Sequence, residues 1–371
     1  MLQDLDTPAL LLDAARLERN CEAMRKRVHS HGVLLRPHVK TAKSVEVTQR
    51  ALDAPSGPIT VSTLREAEYF FDHGFRDILY AVGIVPQKVP RLAALTRRGG
   101  RMSAIVDSVE GARALVQASA KEGAKIPALI EIDSDGHRAG VPPASPRLLE
   151  VAEALGPSLL GVMTHAGESY NCPSVDCIAD MARREREAVV KSAEALRTLG
   201  HAAPVVSVGS TPTATFATSF EGVTEVRTGV YMFHDLVMAG LAVCAIDDIA
   251  ISVLASVIGH QPERHWIITD AGWMAMSRDR GTARQKVDQG YGLVCDIGGN
   301  PVDDLIVVDA NQEHGIVARR AGGALDLARY PVGSRVRILP NHACATAAQF
   351  AEYHVLRDNV PVETWERFGG W

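Results

Sequence analysis

The chain has 371 residues, of which 46% are hydrophobic and 22% are charged, and this length is enough for one large core or for two domains. The net charge is -5 and no basic run stands out, so composition argues against a nucleic-acid or membrane partner and favours a small-molecule substrate. No apolar stretch reaches the roughly 20 residues that a membrane helix needs.

The cysteines and the N-terminal segment predict a cytoplasmic protein. The segment MLQDLDTPALLLD has neither the basic residues nor the long apolar run of a signal peptide. The cysteines are scattered without a CxxC pair, at Cys21, Cys172, Cys177, Cys244, Cys295 and Cys344. Both observations favour a reducing compartment.

Short β-rich runs alternate with helical patterns between about residue 30 and residue 235, which predicts an α/β fold with a (β/α)8 TIM-type barrel. Strands are predicted at Val33 to Val39, Ile59 to Ser62, Ile78 to Val82, Ser103 to Asp107, Ala128 to Asp133, Leu159 to His165, Val205 to Val208 and Glu225 to Phe233. Intervening segments such as LREAEYFFDHG are rich in helix formers and end in glycine. We therefore assign residues 14–245 to the barrel.

After about Ile249 the pattern changes to strand-like runs with few helical candidates, such as HWIITDAG, GYGLVCDIGG and SRVRILP. These runs predict a mainly-β C-terminal domain over residues 246–371. The opening strand TPALLLD has no partner in the barrel, so residues 1–13 are expected to pair into the β domain.

The carboxyl ends of the predicted barrel strands carry the candidate active site, because active sites of such barrels lie there. The first strand leads into RPHVKTAKS and delivers Lys40, whereas Lys43 fits a solvated strand end. DSDGHRAG presents Arg138 after the fifth strand, and THAGESY presents His165 and Tyr170 after the sixth. The plainer interpretations are a solvated lysine, a surface salt bridge for the arginine, and half-buried, hydrogen-bonded side chains for the last two.

Strands seven and eight lead into VGSTPT and RTGVY, at the position where such barrels commonly bind phosphate. Both stretches offer small side chains, hydroxyls and accessible backbone NH groups, although either one alone would indicate only a turn. The predicted phosphate-binding residues are Gly209, Ser210, Thr211, Gly229 and Val230. A lysine together with a phosphate site indicates pyridoxal 5'-phosphate, because a lysine amine forms a Schiff base with its aldehyde.

The segment PNHACAT contains the candidate metal ligands, since His342 and Cys344 stand two residues apart and would share one face of an extended segment. Imidazole plus thiolate favours zinc among divalent metals and leaves manganese, cobalt and magnesium open. A metal would supply a further electrophile if Arg138 kept the pyridine nitrogen unprotonated. The plainer interpretation of HxC is a structural turn.

Six blocks resemble, in content and order, those of the fold-type III pyridoxal phosphate enzymes of the D-threonine aldolase and eukaryotic-type D-serine dehydratase group: RPHVKT, DGHRAGV, HAGESY, VSVGSTPT, NQEHG and PNHACAT. The resemblance spans nearly the whole chain. It implies an alanine racemase-like barrel with a β domain, a head-to-tail homodimer, and Lys40 as the catalytic Schiff-base residue. It further implies Arg138 at the pyridine nitrogen, Tyr170 and the last two strand loops at the phosphate, and His342 with Cys344 on the metal.

The reaction implied by this resemblance is a dehydration. TVSTLREAEYFF, GWMAMSRDRGTARQ and WERFGGW look closest, within the group, to dehydratases of D-threo-3-hydroxyaspartate. Many bacterial D-threonine aldolases of the group carry Asp where this chain has Cys344, and cysteine there favours a dehydratase. The expected products are oxaloacetate and ammonia, and D-serine is a further candidate substrate.

A substrate β-carboxylate would need a cationic partner. The candidates are His314 in NQEHG and three arginines in SRDRGTAR, namely Arg278, Arg280 and Arg284. An Arg-rich loop is also typical of a solvated or dimer-facing surface.

Three other functions are compatible with parts of the pattern. An aldolase would use the same groups to cleave the bond between Cα and Cβ, giving glycine and an aldehyde or glyoxylate. A non-catalytic pyridoxal phosphate carrier would leave the β domain and PNHACAT unexplained. An amino acid racemase would need a second acid/base, for which the sequence offers no clear candidate, and would leave the metal pair without a role.

Overall fold

Parallel strands and helices alternate through the first part of the chain, as its hydrophobic pattern predicts. The computed structural model describes residues 1–371 apart from the side chain of Asp303. It contains two compact units, one formed by Glu22–Gly229 with Gly370–Trp371 and the other by Met1–Cys21 with Val230–Gly369. The change of unit after Gly229 comes earlier in the chain than the expected boundary at residue 245.

The barrel unit contains eight short strands with helices between them. Strand β1 (Ala9–Asp13) and helix α1 (Ala14–His29) open the chain, and α1 ends inside the barrel unit. The barrel strands are β2 (Leu34–Leu35), β3 (Ile59–Val61), β4 (Asp77–Gly83), β5 (Arg101–Val106), β6 (Ala128–Ile132), β7 (Leu159–Thr164), β8 (Val205–Val208) and β9 (Glu225–Val226). The helices are α2 (Val45–Ala51), α3 (Leu64–Asp72), α4 (Val89–Arg97), α5 (Val109–Lys121), α6 (Pro146–Leu155), α7 (Val175–Thr198) and α8 (Thr211–Phe216).

Local sequence signals account for where these helices begin. Thr63, Ser108 and Ser174 precede α3, α5 and α7, and each side chain accepts a backbone NH from the first turn. Such caps satisfy donors that the helix itself cannot satisfy.

The barrel strands run parallel in the order β2-β9-β8-β7-β6-β5-β4-β3. The two end strands meet: the NH of Val39 donates to the carbonyl of Thr60 at 2.9 Å, and the NH of Thr60 donates to the carbonyl of Pro37 at 2.8 Å. Because Pro37 has no NH, the regular ladder of β2 is shorter than the predicted run. The predicted (β/α)8 barrel is confirmed.

The second unit is built on a mainly antiparallel sheet. Its remaining strands are β10 (Ile251–Gln261), β11 (Trp266–Thr269), β12 (Gly292–Cys295), β13 (Pro301–Ala310), β14 (Gly315–Arg319), β15 (Arg335–Pro340), β16 (Glu352–Arg357) and β17 (Val360–Glu366). Its short helices are α9 (Leu236–Gly240), α10 (Trp273–Met276) and α11 (Ala343–Ala347). The mainly-β C-terminal fold that the sequence predicts is therefore present.

The sheet of this unit has the order β11-β14-β13-β12-β15-β10-β1-β16-β17, and β11 also pairs with β10. Strand β1 lies antiparallel to β10 and parallel to β16. The opening strand therefore pairs within the β unit. None of the helices among the described residues combines the length and the apolarity that spanning a membrane requires.

A chain of buried charged and polar groups ties barrel strands together. Arg36 donates from Nε to Glu225 at 2.8 Å and from a terminal nitrogen to Asp77 at 2.6 Å. The second oxygen of Glu225 accepts a bond from the Ser207 hydroxyl at 2.7 Å. Burial by itself lowers the pKa of Arg36, but the two carboxylates outweigh burial and raise it. The guanidinium thus links the starts of β4 and β9 to the segment after β2.

Replacing Arg36 with alanine should lower the free energy of unfolding by about 3 to 5 kcal/mol, because the carboxylate of Glu225 is then left buried without its partner. The matched control is Arg91→Ala, which removes an exposed pair with Glu68 and should cost at most about 1 kcal/mol. Urea unfolding followed by circular dichroism measures both changes. Equal losses in the two variants would contradict a special role for the buried pair.

Candidate active site

Lys40 lies just after the first barrel strand, where the sequence predicts it. Its side chain is exposed and makes no ion pair or hydrogen bond with the described residues. Lys43, three residues later, is different: its amine lies 3.1 Å from a carboxylate oxygen of Glu66, whose side chain is fully buried. Of the two lysines in RPHVKTAKS, Lys40 is therefore the one whose amine is available to react.

Two histidines near Lys40 are held neutral. Burial, followed by the positive charges of Lys40 and Arg227, lowers the pKa of His38 well below its usual value. Burial also lowers the pKa of His165 to about 3, although the hydrogen bond to the Gly209 carbonyl opposes the change. His165 Nδ1 lies 2.6 Å from that carbonyl, so Nδ1 carries the proton and Nε2 is left as the acceptor.

Arg138 lines the same cavity as His165. Six charged or imidazole side chains line it: Glu131, Asp133, Asp135, His137, Arg138 and His165. The Arg138 guanidinium is 63% exposed and lies 3.5 Å from Glu131. The salt bridge that the plainer interpretation expects is thus present, but it is long and leaves most of the guanidinium free.

The loops after β8 and β9 bring hydroxyl groups together. Ser210 Oγ lies 2.9 Å from the hydroxyl of Ser169, and the hydroxyls of Thr211 and Thr228 are hydrogen-bonded to each other. All four side chains are buried. Neutral hydroxyl donors collected in this way suit an anionic ligand, as the predicted phosphate site requires.

The glycines of these loops are required by close backbone approaches. A Cβ on Gly209 would lie 1.8 Å from the Arg227 carbonyl oxygen, and a Cβ on Gly229 would lie 2.6 Å from the His38 carbonyl oxygen. Val230 begins the other unit and is buried. The ring of Tyr170 lies 6.4 Å from that of His165. Within the barrel unit, the structure therefore gathers the predicted lysine, arginine, histidine, tyrosine and loop glycines at the strand ends.

Glu185, on α7, is a buried residue that the sequence interpretation missed. One of its carboxylate oxygens accepts the NH of Ala166 and the NH of Gly209, each at 3.1 Å, and so fastens the loops after β7 and β8 to one group. Burial is the largest influence on Glu185 and raises its pKa. The spacing of Glu185 in the sequence could have indicated its burial. It lies on the apolar face of α7, four residues after Met181 and four before Val189.

Arg227 was also missed, although it opens the quoted block RTGVY. Its guanidinium is buried, donating from Nε to the Ser207 hydroxyl at 2.7 Å and from a terminal nitrogen to the Thr164 carbonyl. Thr164 precedes His165 directly. A buried arginine therefore holds the end of β7 in the position from which His165 projects.

The predicted metal ligands lie together in the β unit. His342 is the N-cap of α11 and Cys344 lies in its first turn, with the sulfur in hydrogen-bonding reach of the imidazole. His342 Nδ1 lies 2.6 Å from a carboxylate oxygen of Asp279. Burial alone would lower the pKa of His342, but Asp279 and Cys344 outweigh it and raise that pKa to about 11. Within the described part of the chain, no group of three or more His, Cys, Asp or Glu residues has metal-site geometry.

The Arg-rich loop gives a mixed result for the predicted substrate contacts. Arg280 lies 2.8 Å from a carboxylate oxygen of Asp288, and its guanidinium stacks over the ring of Tyr291. Arg278 stacks over the ring of Trp273. His314 is exposed at the turn before β14, and Arg284 is also exposed. Contact of these cations with a substrate stays a prediction.

Cys172 and Cys177 form a disulfide, which the sequence interpretation did not anticipate. Cys172 lies two residues after Tyr170, and Cys177 lies in the first turn of α7. Disulfides are rare in cytoplasmic proteins, so the cytoplasmic location stays a prediction that this pair does not support.

Comparison with known proteins decides the family. Residues 12–236 match the alanine racemase N-terminal domain, and residues 250–356 match the serine dehydratase domain. The D-threo-3-hydroxyaspartate dehydratase of Delftia sp. (strain HT23) is 53% identical, over 100% of this chain and 99% of that enzyme. The chain belongs to the D-serine dehydratase family with an alanine racemase-like barrel.

Other relatives in this family agree with the assignment. The D-serine dehydratase of Dictyostelium discoideum is 31% identical, over 100% of this chain and 98% of that enzyme. The solved structure of the Delftia dehydratase matches with a TM-score of 0.97 at 52% identity, covering 100% of this chain and 99% of that one. A second structure with the same TM-score of 0.97 is a cysteine-to-alanine mutant of D-threo-3-hydroxyaspartate dehydratase in the metal-free form. The similar enzymes are lyases of the dehydratase type.

Because His165 has a pKa of about 3, its imidazole should stay neutral from pH 7 down to pH 5, where an ordinary histidine is mostly protonated. A neutral buried histidine contributes stability that is complete above pH 6.5 and is lost as the pH falls towards 3. The variant His165→Asn should therefore lose about 1 to 2 kcal/mol less stability than the unmodified protein between pH 7 and pH 5.

Imidazole carbon and proton shifts, followed by NMR across this range, measure the titration of His165 directly, and urea unfolding at both pH values measures the stability difference. A His165 resonance that titrates near pH 6.5 would contradict the burial argument.

Proposed function

We propose that the protein is a pyridoxal phosphate- and metal-dependent dehydratase that converts D-threo-3-hydroxyaspartate to oxaloacetate and ammonia, with D-serine as a weaker substrate. The observation that carries the proposal is the free amine of Lys40 beside two neutral histidines and Arg138. Full-length similarity to a dehydratase of this substrate supports the choice of reaction.

The residues at the barrel strand ends fit pyridoxal phosphate. Lys40 would bind its aldehyde, and Arg138 would be the cationic partner of its ring nitrogen. Its phosphate would be held by the hydroxyls of Ser210 and Thr211, by the backbone of Gly209, Gly229 and Val230, and by Tyr170. The uncharged ring of His165 would pack beside the cofactor. When bound, the cofactor supplies an electron sink that acidifies the Cα hydrogen of an amino acid.

Lys40 is the group we assign to proton transfer at Cα. His38 and His165 have depressed pKa values, so their ring nitrogens are weak proton acceptors. The amine of Lys43 is engaged in an ion pair with Glu66. Lys40 Nζ is thus the basic atom available to take the Cα proton from a substrate and to release it to water.

His342 and Cys344 fit a metal ion with open coordination positions. The donor set is one imidazole and one thiolate, and the imidazole side chain is 42% exposed, so solvent or substrate can approach. This donor set favours zinc over manganese, cobalt or magnesium. A metal held there would act as a Lewis acid on the β-hydroxyl, which makes that oxygen a better leaving group. The metal-free form solved for the similar dehydratase supports a metal in this family.

An aldolase remains the alternative reaction, because it would use the same lysine and the same metal pair. Cys344, which many aldolases of the group replace with Asp, favours elimination. The carrier alternative loses its basis, since residues 250–356 match a serine dehydratase domain. The sequence offers no clear candidate for the second acid/base of a racemase, and a racemase would leave the metal pair without a role, so a racemase is not proposed.

A cationic contact to the substrate β-carboxylate would set the preference for a dicarboxylic substrate. The proposed contacts are the cations of SRDRGTAR and the exposed His314, although Arg280 already pairs with Asp288. A charge-assisted hydrogen bond of this kind contributes about 1.5 to 3 kcal/mol, or roughly a ten- to hundredfold preference. We also propose a homodimer, on the resemblance to the family alone, while the cytoplasmic location stays a prediction from the sequence.

Borohydride reduction of the cofactor-loaded enzyme should attach the cofactor permanently to Lys40, because the reduced Schiff base cannot hydrolyse. Peptide mass spectrometry locates the label. Lys40→Arg should lower turnover by at least about 10²- to 10⁴-fold, as expected for loss of an acid/base group. The matched control Lys43→Arg keeps the ion pair with Glu66 and should stay active and labelled at Lys40. A label on Lys43 would overturn the assignment.

Incubation with D-threo-3-hydroxyaspartate should yield oxaloacetate and ammonia in equal amounts, and turnover of D-serine and D-threonine should be slower. Malate dehydrogenase coupling measures oxaloacetate, and a direct assay measures ammonia. Stoichiometric glycine and glyoxylate would make the enzyme an aldolase. A clear preference for D-serine would remove the cationic pocket from the proposal while leaving the elimination in place.

A further inference from the structure

The pair formed by Asp279 and His342 joins the Arg-rich loop to the predicted metal ligand. The carboxylate oxygen and Nδ1 lie 2.6 Å apart, a short distance for this kind of bond. Both side chains are partly exposed, by 36% and 42%. An ion pair this exposed adds only about 0 to 1 kcal/mol to stability, so stability alone explains little of its geometry.

The loop that carries Asp279 is anchored beside the metal pair. Asn341, which directly precedes His342, donates from its side chain to the Asp279 carbonyl at 3.2 Å and to the Gly290 carbonyl at 2.6 Å. The Thr282 hydroxyl donates to the side-chain oxygen of Asn341 at 3.0 Å. Asn341 and Thr282 are buried. The position of Asp279 relative to His342 is therefore set by a buried amide from the same segment.

Asp235 constrains the other side of this segment. It is buried, and one of its oxygens accepts the NH of Ala343, the residue between the two proposed ligands, at 2.9 Å. Its second oxygen accepts the NH of Met238 at 2.9 Å. Asp235 thus fixes the backbone between His342 and Cys344. The orientation of the His342 imidazole ring requires a further contact.

We propose that Asp279 is the positioning residue for the metal: by accepting the Nδ1 proton of His342 it fixes the ring so that Nε2 is the donor atom for a divalent cation. The inference rests on the proposed function. Histidine ligands of metals commonly donate their second NH to a carboxylate, and loss of such a partner typically weakens metal binding 10- to 100-fold. The segment SRDRGTAR would thus contribute to metal binding through Asp279, independently of its arginines.

The test is a zinc titration of the full-length, cofactor-loaded enzyme after chelation, with a competing fluorescent chelator as the readout. Asp279→Ala should raise the zinc dissociation constant about 10- to 100-fold. Asp279→Asn should raise it less, because the amide oxygen still accepts a hydrogen bond. The matched control is Glu352→Ala, which removes a carboxylate lying 3.4 Å from His354 in the same unit and should leave the constant unchanged.

Two further readouts separate positioning from misfolding. Excess zinc should restore most of the activity of Asp279→Ala, since a weakened site fills at high metal concentration and a misfolded one does not. Cobalt bound to Asp279→Ala should keep the thiolate-to-cobalt absorption band, and that band should disappear in Cys344→Ala.

The outcomes distinguish this inference from the function on which it rests. Unchanged zinc affinity in Asp279→Ala, together with lost affinity in His342→Ala, would overturn the positioning role and leave the metal site standing. Unchanged zinc affinity in both His342→Ala and Cys344→Ala would overturn the metal site and this inference with it.

Discussion

A buried guanidinium, that of Arg227, holds the barrel strand ends on which the candidate site depends. It ties the end of β7 to the hydroxyl of Ser207 in β8, and Ser207 is bonded in turn to Glu225 at the start of β9. Glu185 then fastens the loops that follow β7 and β8. Burial, with the positive charges of Lys40 and Arg227 as further causes, holds the two nearby histidines neutral.

The neutral histidines give Lys40 its distinct role. Their depressed pKa values make the two histidines weak proton acceptors, so they do not compete with Lys40 for a substrate proton. Lys43 is unavailable for this chemistry because its amine forms an ion pair with the buried carboxylate of Glu66. One short segment, RPHVKTAKS, thus contains one lysine paired with a buried carboxylate and one exposed lysine that we propose as the Schiff-base residue.

The sequence was sufficient for the barrel, the β domain and the approximate strand ends, because periodicity and turn residues are local signals. It also led to Lys40 as the Schiff-base residue and to the His342–Cys344 pair as metal ligands, and both assignments stay predictions. It did not reveal Asp279, which lies 63 residues before its partner, or Glu185 and Arg227, whose partners lie in distant loops and strands. Such contacts depend on the register of the fold, and a charged residue in a helix or strand end is ordinarily read as solvated.

We propose that Lys40 takes the Cα proton and that a metal held by His342 and Cys344 would act only on the β-hydroxyl. In D2O, the cofactor-loaded but metal-free enzyme should therefore exchange the Cα hydrogen of D-threo-3-hydroxyaspartate without forming oxaloacetate, and Lys40→Arg should not exchange it. Proton NMR follows the loss of the Cα signal. Retention of that signal in the metal-free enzyme, with turnover restored by zinc, would contradict the division of roles.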